Sequence, residues 1–405
     1  MDAELRHDDP LSPERAASTR PLASTTPEIG DAPRRGASPA QPVGQIVLVL
    51  QGGGALGAYQ AGVYHGLRDG GIEPDWVIGT SIGAINGALI AGNPPEQRLD
   101  RLQTFWGRLG HGRGFDNAWS MGFFANALAN LNTLTHGVPG FFQGNPHAPW
   151  GMHFPVGLER ASFYTTEPLR HTLRELVDFD CLKDRRTRLT VGAVSVRTGE
   201  MRYFDSRDMT LGAEHVMASG ALPPGLPAVR IDGEPYWDGG IYSNTPVEVV
   251  LDDKPRRDSL IISVNIWQPN GSEPGTIWQV LGRQKDIQYA SRGKSHVMRQ
   301  EQIHRLRHVI RELGKRLSDE ERRDPEVTEL LEYGCGTTMH LVRLLSPRLD
   351  REDHTKDIDF SRAGIRTRWQ AGYEHAQRVV AAQPWVCHVE PLQGVLIHES
   401  SEDER

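Results

Sequence analysis

Short apolar runs, each closed by glycine, alternate with small-residue segments through the first part of the chain. Gln45-Ile46-Val47-Leu48-Val49-Leu50 is continuously apolar and rich in β-branched residues up to three glycines, the pattern of a strand buried on both faces. After it, Ala58 to Leu67 places small residues at helical spacing and stops at Gly70-Gly71, which predicts a helix. The sequence then repeats itself in kind. Trp76-Val77-Ile78 reads as a strand, Gly79 to Gly83 as a tight turn, and Ala84 to Ala91 as a second helix ended by Gly92-Asn93-Pro94-Pro95. Two strand–turn–helix units in succession predict an α/β fold with a parallel sheet covered by helices.

From about Gly107 to Arg160 the periodicity lapses, with Gly, Asn, His and Pro surrounding the pairs Phe123-Phe124 and Phe141-Phe142. An irregular insertion of this length reads either as a lid or as a surface excursion with its own small core. Regular structure resumes where Thr166 is placed to cap a helix, Pro168 falls in its first turn, and Leu169, Leu173, Leu176 and Val177 share one face. Leu189 to Val196 and Met201 to Phe204 flank Arg197-Thr198-Gly199-Glu200 as a hairpin, and Ser259 to Ile266 is a further strand. Beyond Trp267 the chain turns Arg- and Glu-rich and helical. There Ile303, Leu306, Ile310, Leu313 and Leu317 form an amphipathic stripe that suits packing on the domain or lying on a membrane surface. The expected division is a tail over 1–44, an α/β domain over 45–267 and a helical region over 268–405.

Composition narrows the setting. In 405 residues, 38% apolar content is enough for a substantial core. The formal charge of −7 gives no electrostatic reason to expect a nucleic-acid partner. Cys181, Cys335 and Cys387 are isolated and odd in number, so neither a disulfide framework nor a four-ligand zinc site is expected, and a reducing cytoplasm is the default compartment. The first 44 residues read as disordered. They hold no apolar segment of signal-peptide length, and no later stretch approaches a membrane span. Export by a signal-peptide-independent route is the alternative for that tail.

Three motifs carry the chemistry. Gly79-Thr80-Ser81-Ile82-Gly83 between a strand and a helix reads as a nucleophile elbow, with Ser81 on a turn that only small flanking residues such as Gly79 and Gly83 permit. Gly52-Gly53-Gly54-Ala55-Leu56-Gly57 offers backbone amides free of side chains at a helix start. Gly53 and Gly54 are the best oxyanion donors, with Gly52 and Gly57 completing the loop. Gly52, Gly54 and Gly57 also match a dinucleotide fingerprint, but the second strand ends in Gly79-Thr80-Ser81 where that site needs an acid for the ribose. Asp238 stands between Tyr236-Trp237 and Gly239-Gly240, where bulky neighbours could desolvate it into a stronger base. A serine hydroxyl is a weak nucleophile until a base takes its proton and donors receive the developing charge, so the three motifs together read as a serine esterase.

Taken together these residues resemble the patatin-like phospholipase family, whose pattern is a glycine-rich loop, a Gly-x-Ser-x-Gly elbow and a distant Asp-Gly-Gly or Asp-Gly-Ala. Ala218-Ser219-Gly220-Ala221-Leu222-Pro223-Pro224 and Pro227 to Gly233 resemble it too, so the likeness covers roughly Gln45 to Trp267. The end of the chain, with Asp359-Phe360-Ser361-Arg362-Ala363-Gly364, looks like the extension of a bacterial patatin-like subgroup. The resemblance implies a three-layer α/β/α fold and a Ser81–Asp238 dyad without histidine. It also implies a lipid acyl ester, at a membrane surface, as substrate, and neither metal nor cofactor. One position departs from the pattern: Leu56 stands where family loops often carry Lys or Arg, leaving phospholipid, neutral glyceride, lysolipid and polyester open. Two rival readings stay in play. One is an α/β-hydrolase triad of Ser81, Asp238 and either His388 or His398; the other is a non-catalytic scaffold that binds a lipid or a protein in the same cleft.

Overall fold

The computed structural model describes residues 44–110, 137–184, 186–349 and 354–400. The tail over 1–43 and the Phe123-Phe124 pair lie outside the described residues. In chain order, β1 (Gln45–Leu50) leads to α1 (Gly57–Asp69), β2 (Trp76–Thr80) to α2 (Ile82–Ala91), and α3 (Pro95–Leu109) follows. Next come β3 (Gln143–Gly144), α4 (Ala148–Gly151), β4 (Tyr164–Thr165), α5 (Glu167–Leu176), β5 (Arg188–Ser195), β6 (Met201–Asp205), α6 (Ala213–Ser219), β7 (Val229–Ile231) and β8 (Glu234–Asp238). The chain continues through α7 (Glu248–Leu251), β9 (Ser259–Asn265), α8 (Ile277–Gly314), α9 (Asp319–Arg323), α10 (Pro325–Leu331), β10 (Met339–Leu345), α11 (Arg362–Ala382) and β11 (Val395–Ser400).

The main sheet runs β11-β10-β9-β1-β2-β5-β8-β7, with β6 also on β5. From β11 through to β5 every pairing is parallel, and β6, β7 and β8 are antiparallel. Alternate side chains of each strand feed two cores, because successive residues of a strand point to opposite faces. Leu48 and Leu50 join the larger core with residues of α1, α2, α3, α5, α6 and α11. Val47 and Val49 join the smaller one with Val250 of α7 and Val297 of α8. The result is an α/β architecture with helices on both faces.

The C-terminal region is helical and also supplies β10 and β11, paired in register onto β9. Its helix α11 lies against α1 at backbone distance: a Cβ on Gly62 would stand 1.9 Å from the Trp369 carbonyl oxygen, and one on Gly372 would stand 2.1 Å from that of Tyr59. Gly62 and Gly66 of α1 permit this approach. At the same contact the Tyr59 hydroxyl and His375 Nδ1 are 2.5 Å apart, both groups buried.

Three local expectations come out differently. Regular structure persists to Leu109, because Leu102, Phe105, Trp106 and Leu109 put a buried face on α3. Thr166 occupies the N-cap of α5, but its side chain makes no capping bond. The stripe assigned to α8 is not its packing face: Leu306 is 63% and Leu313 57% exposed, while His304 and His308 point inward and bond the carbonyls of Leu251 and Thr337. Apolar spacing alone missed a face whose buried members are imidazoles with backbone partners.

Candidate active site

One strand fixes the positions of Ser81 and Asp238. On β5, Thr80 of β2 is in register with Gly192, and Asp238 of β8 with the next residue, Ala193. Strand β6 pairs with β5 from Thr190 to Val194, so β8 must use the β2 edge, where the two strands meet end to end. Gly239 permits the join, since a Cβ there would be 2.4 Å from the Gly192 carbonyl oxygen.

Ser81 begins α2 with φ 56° and ψ −123°, a left-handed conformation that strains a side chain bearing Cβ. The turn is tight because Gly79 and Gly83 let backbone meet backbone: added Cβ atoms would lie 2.3 Å from the Gly83 oxygen and 2.2 Å from that of Leu50. The Ser81 amide donates to Ser219 Oγ at 3.1 Å, holding the elbow to the end of α6.

Asp238 is 2% exposed. Its Oδ1 accepts the Gly240 amide at 2.7 Å, and the Ser81 side chain is near enough to favour its ionised form. Burial pushes this carboxyl from 3.8 up to about 6, and the nearby Ser81 side chain and the bond from the Gly240 amide pull it back only in part. A carboxylate so placed is a stronger base than one in water, yet still ionised at neutral pH.

The glycine loop divides its amides. Gly52 N is spent on the Asn244 carbonyl at 3.2 Å and Ala55 N on the Asp357 carbonyl at 2.8 Å. Gly57 N bonds back into its own turn, and Gly57 packs on Ile82 and Trp106. Neither Gly52 nor Gly57 therefore has a donor to offer a ligand, a correction to the four-glycine set read from sequence. Among the described residues the Gly53 and Gly54 amides have no such internal bond. The Gly52 carbonyl accepts both Trp267 Nε1 at 2.7 Å and Asn244 Nδ2 at 3.0 Å. Gln51 secures the segment from below, its Oε1 accepting the amides of Ile266 at 2.6 Å and Trp267 at 3.1 Å.

These groups line a cavity of about 310 Å³ whose other walls are mainly apolar, among them Phe141, Phe142, Tyr164, Leu222 and Phe360. Lys and Arg are absent from the described lining, and Leu56 is buried in the core. One wall comes from the C-terminal region. A strap over 354–360 brings Asp357, Ile358 and Phe360 to the cavity, and a Cβ on Gly54, where φ is +57°, would be 2.2 Å from the Asp357 oxygen. Crossed ion pairs tie the strap to α8: Lys285 to Asp357 at 2.8 Å and Lys356 to Asp286 at 2.7 Å.

No histidine lines the cavity among the described residues. His388 is 85% exposed at its side chain, and His398 lies on β11, at the edge of the sheet beyond β10, β9 and β1. The triad expectation is corrected accordingly. His398, His340 and Cys387 do bring three potential metal-ligand atoms within 4.8 Å of one another. There the two imidazoles lie nearly coplanar, 10° between planes, with nitrogens 3.1 Å apart, the arrangement of one shared hydrogen bond.

Sequence reasoning missed Gln51, Ser219, Asn244, Trp267 and the strap. Gln51 left a local signal as a polar residue closing an apolar strand, and Ser219 and Phe360 lay in segments read only as part of the family resemblance. The insertion over 107–160, read as a lid or a surface excursion, is described only outside 111–136; its last part supplies Phe141 and Phe142 to the cavity wall.

A mostly parallel sheet covered by helices, with a strained serine at a strand–helix elbow beside a buried carboxyl on the wall of an apolar cavity, places this protein among the α/β proteins that carry a serine elbow. The chain belongs to the patatin-like phospholipase family: the family model "Patatin-like phospholipase" matches residues 48–251, and a second, "Patatin phospholipase", matches 287–392. It is 28% identical over 206 residues to the patatin-like phospholipase domain-containing protein ZK370.4 of Caenorhabditis elegans, covering 51% of this chain and 12% of that protein. It is 30% identical over 208 residues to lysophospholipase NTE1 of Mycosarcoma maydis, covering 51% and 9%. The chain thus spans a small part of the length of these relatives. Among solved structures it is similar to VipD from Legionella pneumophila, with 15% identity, a TM-score of 0.35, and coverage of 84% of this chain and 67% of that one. Among the described residues no helix is long and apolar enough to cross a membrane.

Proposed function

We propose that this protein hydrolyses acyl esters of lipids through Ser81 as nucleophile and Asp238 as base. The observation that carries the reading is that Ser81, on a strained elbow, lines the same apolar cavity as a buried carboxyl whose pKa burial raises and the nearby Ser81 side chain lowers in part. Asp238 takes the Ser81 proton as Oγ attacks the ester carbonyl carbon, and the amides of Gly53 and Gly54 receive the oxyanion. The C–O bond to the alcohol breaks, the alcohol leaves with the proton from Asp238, and the acyl group stays on Ser81. Water then attacks the acyl-enzyme, giving its proton to Asp238, and the carboxylic acid departs with Ser81 regenerated. Neither step requires a metal or a cofactor.

The lining supports a substrate whose acyl chain fills the cavity while its head group stays outside, since no described cation is placed there for a phosphate. Relatives named lysophospholipases support a single-chain lipid. The test is labelling by a fluorophosphonate: a covalent adduct mapped to Ser81 supports the reading, and an unlabelled Ser81 in folded protein favours a non-catalytic lipid-binding scaffold.

The strap enters this reading as a positioning element for the Gly53–Gly54 amides, because it holds the adjacent Ala55 amide. Lys356→Met leaves the largely buried Asp286 without its cation. We expect kcat to fall on the order of tenfold, the range for a slightly misplaced catalytic group, and Ser81 labelling to slow in step. Unaltered kcat and labelling would remove the strap from the mechanism.

A further inference from the structure

At the tip of the loop between β3 and β4, ahead of Glu159 and Arg160, three large exposed side chains are apolar. Trp150 is 65%, Met152 63% and Phe154 62% exposed, and from Gln143 to Leu158 the sequence has no Asp, Glu, Lys or Arg. The loop is built rather than loose. Asn145 Nδ2 closes its neck by donating to the carbonyls of Arg160 at 2.9 Å and Ser162 at 2.8 Å, and its amide donates to Phe163 O at 3.0 Å. That neck stands on the cavity: Phe142 and Tyr164, which line it, pack at 4.9 Å between ring centroids. Phe163, beside Tyr164, and the lining residue Leu222 are themselves exposed, 47% and 40%, so exposed apolar side chains stand at the cavity rim as well as on the loop.

A second element that contributes to the cavity wall is also apolar at its exposed end. The first turns of α8 expose Ile277, Trp278, Val280 and Leu281, and the same helix supplies Tyr289 to the cavity lining and Lys285, which holds the strap at Asp357. Exposed apolar side chains thus lie on two separate elements that also supply or flank lining residues of the cavity. Single exposed hydrophobes are ordinary on a protein surface, but an uncharged group of this kind beside a binding cavity marks an interaction site.

We propose that the 148–154 loop and the start of α8 dock the protein on a lipid surface, seating the cavity against the layer from which it draws its ester. This rests on the lipid-ester reading of the same site. The occupant is a lipid layer rather than a nucleic acid or an acidic peptide because the loop offers no formal charge to pair. A tryptophan beside Met and Phe at a loop tip suits the boundary between head groups and acyl chains, where an indole ring is partly wet. Docking of this kind is driven by apolar burial, so it depends little on lipid charge or salt.

The test uses the full chain and vesicles of phosphatidylcholine, with Trp150→Ser/Met152→Ser/Phe154→Ser in one variant and Ile277→Ser in another. Co-sedimentation is measured in the Ser81→Ala background so that turnover does not alter the vesicles. The unaltered surface is expected to bind neutral vesicles with little salt dependence, and the triple variant to lose roughly tenfold or more in partition, with Ile277→Ser losing less. With Ser81 intact, vesicle-ester hydrolysis should fall by the same factor as partition while hydrolysis of a water-soluble short-chain ester stays within about twofold, which also reports folding. Partition unaffected by the triple substitution overturns the proposal, as does binding that needs anionic lipid and vanishes in salt. Failure of the unaltered protein on the soluble ester would count against the catalytic reading alone, since vesicle binding is scored without turnover.

Discussion

Ser81→Ala is expected to lower ester hydrolysis by about a thousandfold or more, leaving only what the cavity and the free amides contribute. The loss should appear in kcat with KM little altered, because the hydroxyl makes its decisive bond only as the carbonyl is attacked. Removing the hydroxyl should also relieve no packing: Ser81 lies on the cavity wall, and the strain at its φ of 56° belongs to the backbone, so alanine inherits it. Thermal stability is therefore expected to change little. Steady-state assays on a soluble ester, with melting curves alongside, check both halves; appreciable retained turnover would mean that another group performs the attack.

Asp238→Asn has the second-largest expected effect, roughly a thousandfold in kcat/KM, the upper part of the range for losing a general base. The asparagine oxygen can keep the bond from the Gly240 amide, so the site should stay assembled. The pH dependence follows from the sign of the shift. Asp238 works ionised, and with its carboxyl near 6 the kcat/KM of the unsubstituted protein should rise about tenfold per pH unit below that value and level off above it. An acid limb midway nearer 4 would show a solvated carboxylate and contradict the burial argument.

The same shift has an opposite consequence for stability. Between about 4 and 6 the folded protein keeps a proton that the unfolded chain has released, so stability contributed at this group falls as pH rises through that window. Two pKa units at 1.36 kcal/mol each put the cost at roughly 3 kcal/mol at neutral pH. Asp238→Asn removes the charge without removing the shape, so the inactive variant should melt higher than the parent at pH 8 and close to it at pH 4.

Much of this was legible in the sequence, for identifiable reasons. β1 and β2 are buried on both faces and therefore read as continuous apolar runs, and the elbow announces itself because a positive φ at Ser81 demands small neighbours. The partnership of Ser81 with Asp238 was legible only through the motif set, since the registers that create it lie on β5 and involve no local pattern. β10 and β11 were absorbed into a helical region because His340, Arg343 and His398 interrupt their apolar runs toward the edge of the sheet. Gly52 looked like a donor because sequence offers no way to see its amide already bonded to Asn244. The end of the strap was visible as Asp359-Phe360, but its contact with the glycine loop was not: Asp357 acts through its backbone carbonyl on Ala55, a bond indifferent to side-chain identity.

The end-to-end meeting of β2 and β8 has a consequence for tolerance to change. Because neighbouring peptides of a single strand set the spacing between hydroxyl and acid, the long excursions that join the motifs can lengthen, shorten or be exchanged without disturbing it. A one-residue insertion within Gly192-Ala193 would part the pair, while far larger alterations in the connecting loops would not.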